Sequence, residues 1–144
     1  MQWMTDLPAV VAADFDALLD RLMPLAQERL ESAGVCFPVA AAFDAKGSAT
    51  DLIDPVEAKE SVRQRLDIVY ATLHDRAEWL RTIGVAADVR ALGVDSLRVT
   101  LEHRDGQAVD VFLPYTRSRW RGKVTYGEVR VVSAYPGVWD HPTP

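Results

Sequence analysis

One cysteine, three histidines, three lysines and eight glycines are all that this 144-residue chain has of the residue types that most often spell out chemistry. A lone Cys36 excludes an internal disulfide and any Cys/His zinc spacing, and within the apolar run Val35-Cys36-Phe37 it reads as a small buried hydrophobe. His74, His103 and His141 are too dispersed to form a metal motif, and the scattered glycines form no phosphate-cradling loop. No nucleophile–base spacing and no carboxylate cluster with metal spacing occurs, so the sequence assigns no catalytic residue, no cofactor and no metal. No apolar run approaches the roughly 20 residues needed to span a bilayer. The stretch Met1–Asp6 has no basic segment followed by an apolar one, which predicts no secretory signal and a cytoplasmic location.

Charge narrows the classes further. The net charge of −5 and pI near 5.1 disfavour broad binding to nucleic acid or an anionic membrane. Thirteen of the sixteen basic residues are arginine, a bias that with the alanine and valine content points to a GC-rich bacterial genome. The length suits one domain over residues 1–144, large enough to bury a core without a covalent or metal staple.

Hydrophobic periodicity predicts the elements. Phe15, Leu18, Leu19, Leu22, Leu25, Ala26, Leu30 and Ala33 recur at helical spacing from an opening at Asp6 and Pro8 to a stop at Gly34, with Pro24 predicting a kink or break near 20–23. Val35–Phe43 and Ser48–Ile53 read as a hairpin turned at Gly47. A second helix is expected from Asp54 as cap, with Pro55 in its first turn and Glu57 completing a capping box, to Gly84, along Val62, Leu66, Val69, Tyr70, Leu73, Ala77 and Leu80. From Val85 the period becomes two. A strand over Val85–Leu92 ends at Gly93, and Leu97, Val99 and Leu101 form one row, Val109, Val111 and Leu113 another. A two-residue turn would oppose Leu101 to Asp110 and scramble the faces, so the rows select a three-residue turn, Arg104-Asp105-Gly106, with Gly106 left-handed. A last strand spans about Lys123–Val132. The order α-β-β-α-β-β-β-β predicts an α+β fold, an antiparallel sheet of five to six strands with both helices on one face.

The segment Leu101-Glu102-His103-Arg104-Asp105-Gly106, with Phe37-Pro38-Val39-Ala40, Asp44-Ala45-Lys46-Gly47, Leu113-Pro114-Tyr115 and Tyr126-Gly127-Glu128, resembles a group of small bacterial α+β proteins sharing these motifs over about residues 30–130. The resemblance implies one intact domain and transfers no activity. The ββ-α-βββ order is similar to that of roadblock/longin- and profilin-like sheets, an analogy of fold alone.

Three constellations are candidates for function. Glu102, His103, Asp110 and Tyr115 offer acid, base and hydroxyl, although neighbouring strand residues such as Glu102 and His103 point to opposite faces. Arg117, Arg119, Trp120, Arg121 and Lys123 place four charges around an indole, a pattern for phosphate or, more in keeping with an acidic protein, for a protein partner. Phe112 stands with Arg98 on the face opposite the core rows, where a cation–π contact is expected. That face needs a cover, either the tail carrying Trp139 or a second copy of the chain. Trp79 and Tyr115 likewise lie off the main core rows. The leading expectation is a protein–protein interaction or regulatory module. The alternatives are a small-ligand-binding protein or enzyme using Glu102, His103 and Tyr115, and nucleic-acid binding by the Arg117–Lys123 loop.

Overall fold

The computed structural model describes residues 6–55, 61–120 and 122–139. Two helices and a six-stranded antiparallel sheet give the expected α+β class. Helix α1 (Ala9–Ala33) buries Phe15, Leu18, Leu19, Leu22, Ala26 and Leu30, and ends where Gly34, at φ 82°, returns its N–H to the Leu30 carbonyl. Pro24 does not divide it. The ring lies on the exposed side, where water can serve the carbonyl it leaves unpaired, and one helix runs through.

Strand β1 (Val39–Asp44) begins directly after Pro38, which has no N–H to give a ladder. The expected partner strand over 48–53 is reduced to two bridges, Ala40 with Ile53 and Phe43 with Ala49, around a turn in which Asp44 accepts from the N–H groups of Lys46 and Ser48.

The second helix is shorter than its apolar stripe suggests. Helix α2 (Val62–Arg76) is capped by Ser61, which accepts from the Gln64 N–H while Gln64 accepts from the Ser61 N–H. Asp54 pairs instead with Arg29 at 2.6 Å, and Glu57 lies outside the described residues. After a 3₁₀ turn (Ala77–Trp79) the chain enters β2 (Leu80–Ala91), so Gly84 is a mid-strand residue and not a helix stop. Its role is close approach. A Cβ there would lie 2.7 Å from Leu22 Cδ1 and 3.2 Å from Leu101 Cδ2. The missing side chain is what seats α1 on the sheet.

Strands β3 (Val94–His103) and β4 (Ala108–Arg117) pair Leu101 with Val109, Val99 with Val111 and Leu97 with Leu113, the register that the apolar rows require. The His103 N–H donates to Gln107, and Gly106 takes φ 106° in the three-residue turn. The last strand is divided into β5 (Val124–Tyr126) and β6 (Arg130–Ser133). Pro114 explains the break. It cannot donate to the ladder, and the pairing shifts by one residue between Tyr115–Tyr126 and Phe112–Arg130. That extra residue flips the alternation, so Val124, Tyr126 and Val131 all pack against the same core.

The sheet order is β1-β2-β3-β4, with β5 and β6 sharing the far side of β4. The helices do not share a face. Helix α1 packs on Val39, Ala41, Ala86, Leu97, Val99, Leu101 and Val111, whereas Val69 and Leu73 of α2 pack on Ala40, Ala42, Ile83 and Val85. These are alternate residues of the same strands and therefore opposite faces. The cause lies in composition: β1 and the first half of β2 are apolar on both faces, so each face needs a cover. Replacing Gly84 with valine is expected to lower stability by about 2 kcal/mol through overpacking against Leu22 and Leu101, measured as a reduced urea midpoint. An unchanged midpoint would mean that α1 can shift without loss.

Candidate functional site

Glu102, His103, Asp110 and Tyr115 each have a structural partner. Glu102, 1% exposed, points to the α2 face, where its carboxylate accepts from the backbone N–H groups of Gly137 at 2.7 Å, Val138 at 3.0 Å and Trp139 at 2.7 Å. Those bonds draw the tail over the sheet. Val138 becomes part of the α2 core, Gly137 packs against the Tyr70 ring, and the Trp139 indole N–H donates to the Ala77 carbonyl. The tail therefore covers the Glu102 half of the second face and does not reach Phe112, which it was expected to cover.

His103 lies on the opposite face, at the end of the core row and across from Thr82. Its Nδ1 accepts from the Asp105 N–H at 3.1 Å, which closes the hairpin turn. Burial pushes the imidazole pKa down, against the pull of Asp105 and Asp14, so the neutral ring is the folded form. Beside it Asp14 of α1 accepts from Arg81 through both oxygens at 2.8 Å and from the Thr82 hydroxyl at 2.6 Å. Burial alone would raise the Asp14 pKa; the bonds from Arg81 and Thr82 outweigh it and hold the carboxyl below its ordinary value. Nothing in the sequence pattern marked this cluster, because Asp14 sits one position before the apolar Phe15 and its partners lie 67 and 68 residues away.

Tyr115 and Asp110 are equally committed. The Tyr115 hydroxyl donates to Asp88 at 2.7 Å, near Cys36, and burial followed by that carboxylate raises the phenol pKa. The Cys36 thiol is pushed up to about 12 by burial, so it stays protonated and unreactive. Asp110 accepts from the Thr100 hydroxyl at 2.5 Å on the α2 face. The structure thus does not bring the four polar candidates together: Glu102 and Asp110 face α2, while His103 and Tyr115 face α1 from opposite ends of the sheet.

The remaining candidates gather at the other end of the molecule. Arg117 is occupied, its guanidinium donating to the Gly34 carbonyl at the end of α1. Arg119 and Trp120 project into solvent, the indole 95% exposed, from a turn closed by Ser118 and Lys123; Arg121 lies outside the described residues. Phe112 is half-buried at the floor of a groove of about 230 Å³, lined by Leu92, Val94, Pro114, Arg130 and Val132 among others. It lies directly between Arg98 on β3 and Arg130 on β6. The expected cation–π contact between Phe112 and Arg98 is not formed; among the described residues Phe37 carries one, with Arg65 4.0 Å from its centroid. Helix α2 and the tail cover the Glu102 half of this face, and among the described residues nothing covers the Phe112 half.

Leu92 is the residue that sequence reasoning missed. It occupies the two-residue turn between β2 and β3 with φ 51°, followed by Gly93 at 77°, and it is 90% exposed at the lip of the groove. The signal was local: a leucine stands where such a turn favours Asn, Asp or Gly. Among the described residues no three His, Cys, Asp or Glu side chains gather as a metal site, and no helix is long and apolar enough to cross a membrane. No family model, curated protein or solved structure matches the chain.

Two outcomes test this assignment of the polar groups. Glu102→Ala leaves three N–H groups, that of Val138 buried, without their acceptor and is expected to cost roughly 2–4 kcal/mol, with Trp139 fluorescence shifted to the red and the tail opened to protease; wild-type values would refute the latch. For His103, the folded pKa lies below the unfolded one, so the unfolded chain takes the proton first as the pH falls. Stability is therefore complete above about pH 6.5 and declines below it. In His103→Gln this decline is expected to flatten in denaturation series between pH 7 and 5, and an unaltered slope would assign it elsewhere.

Proposed function

We propose that this chain is a small cytoplasmic protein-interaction module whose partner docks in the groove floored by Phe112. The observation that supports the reading is Leu92. Holding a non-glycine residue in the left-handed region costs about 1–2 kcal/mol, and here the side chain recovers none of it by burial. The same side chain overhangs an apolar groove with Val94, Pro114 and Val132. A strained, exposed leucine beside uncovered apolar surface fits a residue kept for a partner. A ligand site or enzyme centre at Glu102, His103 or Tyr115 has less support, because each of those groups already holds part of the fold. Nucleic-acid binding loses Arg117 from its patch for the same reason.

The Arg119–Trp120 turn is the second candidate surface for a protein partner, favoured by the exposure of its indole. Affinity capture from the source cell's lysate, quantified by mass spectrometry, separates the two. Leu92→Asn is expected to raise stability by about 1 kcal/mol yet lose the partner, whereas Trp120→Ala keeps it. Loss with Trp120→Ala and retention with Leu92→Asn would move the interaction to the turn and overturn the groove reading.

A further inference from the structure

We infer that the partner binds as an extended strand added along β6, and that it carries a carboxylate side chain received by Arg130. The inference rests on the groove reading above and specifies the partner's backbone and charge.

The His103–Gln107 bond and the register place the N–H and C=O groups of Val109, Val111 and Leu113 toward β3. Alternate residues of β4 therefore serve β6, as the Ala134 N–H to Ala108 carbonyl bond shows. Carried along β6, the same alternation commits Arg130 and Val132 to β4 and turns the backbone groups of Val131 and Ser133 outward. No described residue pairs with them. The opposite margin of the sheet is different, since β1 is partly covered by its bridges to Ala49 and Ile53. Nor does Val129-Arg130-Val131-Val132-Ser133 contain a lysine or proline of the kind that blunts an edge.

Both flanks of this edge are grooved. On the α2 side lies the Phe112 groove, with Val132 as one wall. On the α1 side a second groove of about 190 Å³ is lined by Leu19, Met23, Pro24, Val111 and Val129, with Asp20 and Gln27 as its polar members. Side chains of an added strand alternate between the two faces, so one strand would fill both grooves at once.

Charge selects the kind of strand. Arg130 stands exposed beside Phe112 on the edge strand and makes no ion pair with any described residue. In contrast, Arg29, Arg81 and Arg90 each hold a carboxylate. A second copy of β6 would bring another Arg130 to this face, not an acid. The fitting occupant is a foreign strand, apolar toward α1, with an apolar side chain over Phe112 and an aspartate or glutamate beside Arg130 on the other face.

The test uses the full chain, ¹⁵N-labelled, titrated with a synthetic octapeptide. Valine occupies alternate positions, and leucine and aspartate occupy the two central intervening ones; asparagine and lysine versions replace the aspartate. The aspartate peptide is expected to shift the amides of Leu92–Val94, Phe112 and Val129–Ser133. The asparagine version should bind about tenfold more weakly and the lysine version not at all. Arg130→Glu, an exposed substitution, should reverse that order. Val131→Pro, which removes an outward donor while sparing the bonds to β4, should abolish binding of every version.

Equal affinity for the three peptides, or no binding by any, overturns the acidic strand. Binding that survives Val131→Pro with shifts at Phe112 overturns strand addition and leaves the groove reading standing. Shifts confined to Arg119 and Trp120 would sink that reading as well. Self-association that perturbs Val131 and Ser133 in the absence of peptide would make the occupant a second copy and overturn the inference.

Discussion

Three consecutive backbone N–H groups, at Gly137, Val138 and Trp139, converge on the buried carboxylate of Glu102, and the packing of the second sheet face depends on that convergence. A carboxylate this deeply buried is costly unless its oxygens are satisfied, and the tail satisfies them. In return, the tail supplies Val138 to the α2 core and closes the space beside Tyr70. Remove this interaction and α2 is left to cover the face with Val69 and Leu73 as its buried side chains. The other face has no such dependence. It is covered by the 25 residues of α1, seated by Gly84 and tied at one end through Asp14 to Arg81 and Thr82.

This asymmetry divides the molecule into a closed end and an open end. At the closed end, the turn between β3 and β4, the tail and the Asp14 cluster satisfy their polar groups internally. At the open end, two hairpin turns expose Leu92 and Trp120, and among the described residues nothing covers Phe112 on the sheet face between them or gives the two arginines beside it a carboxylate partner. Polar groups that already hold structure together are poorly placed to bind something else. Apolar and charged groups that nothing satisfies are well placed, and for that reason the argument for an interaction surface rests at the open end.

The register of β3 and β4 was legible because alternation carries its own parity. Leu97, Val99 and Leu101 can face Val109, Val111 and Leu113 only across a turn of odd length, and the same parity put His103 on the core face and Glu102 on the other. The split of the last strand was not read, although Pro114 was visible. A proline disturbs a ladder only on the side to which its nitrogen points, and that side depends on pairing order. The second helix failed for a related reason. Ala77 and Leu80 continue the helical stripe, yet Ala77 opens a 3₁₀ turn and Leu80 begins a buried strand, and periodicity alone cannot separate the two over so few residues. Of the candidate surfaces, Phe112 was legible as an apolar residue out of phase with its neighbours, whereas Leu92 required a backbone angle.

What the sequence determined by itself is local and periodic: the α+β class, the three-residue turn at Arg104–Gly106 and the faces of its strands. These follow from repeats of two and 3.6 residues and from the backbone freedom of single glycines. What only the tertiary structure decided is which distant groups meet. It placed the helices on opposite faces, carried the tail 35 residues back to Glu102, joined Asp14 to Arg81 and Thr82, and left Arg98 and Arg130 flanking Phe112. Such contacts arise from the competition of several apolar faces for cover, and that competition is settled by the assembled shape and not by any one segment's pattern.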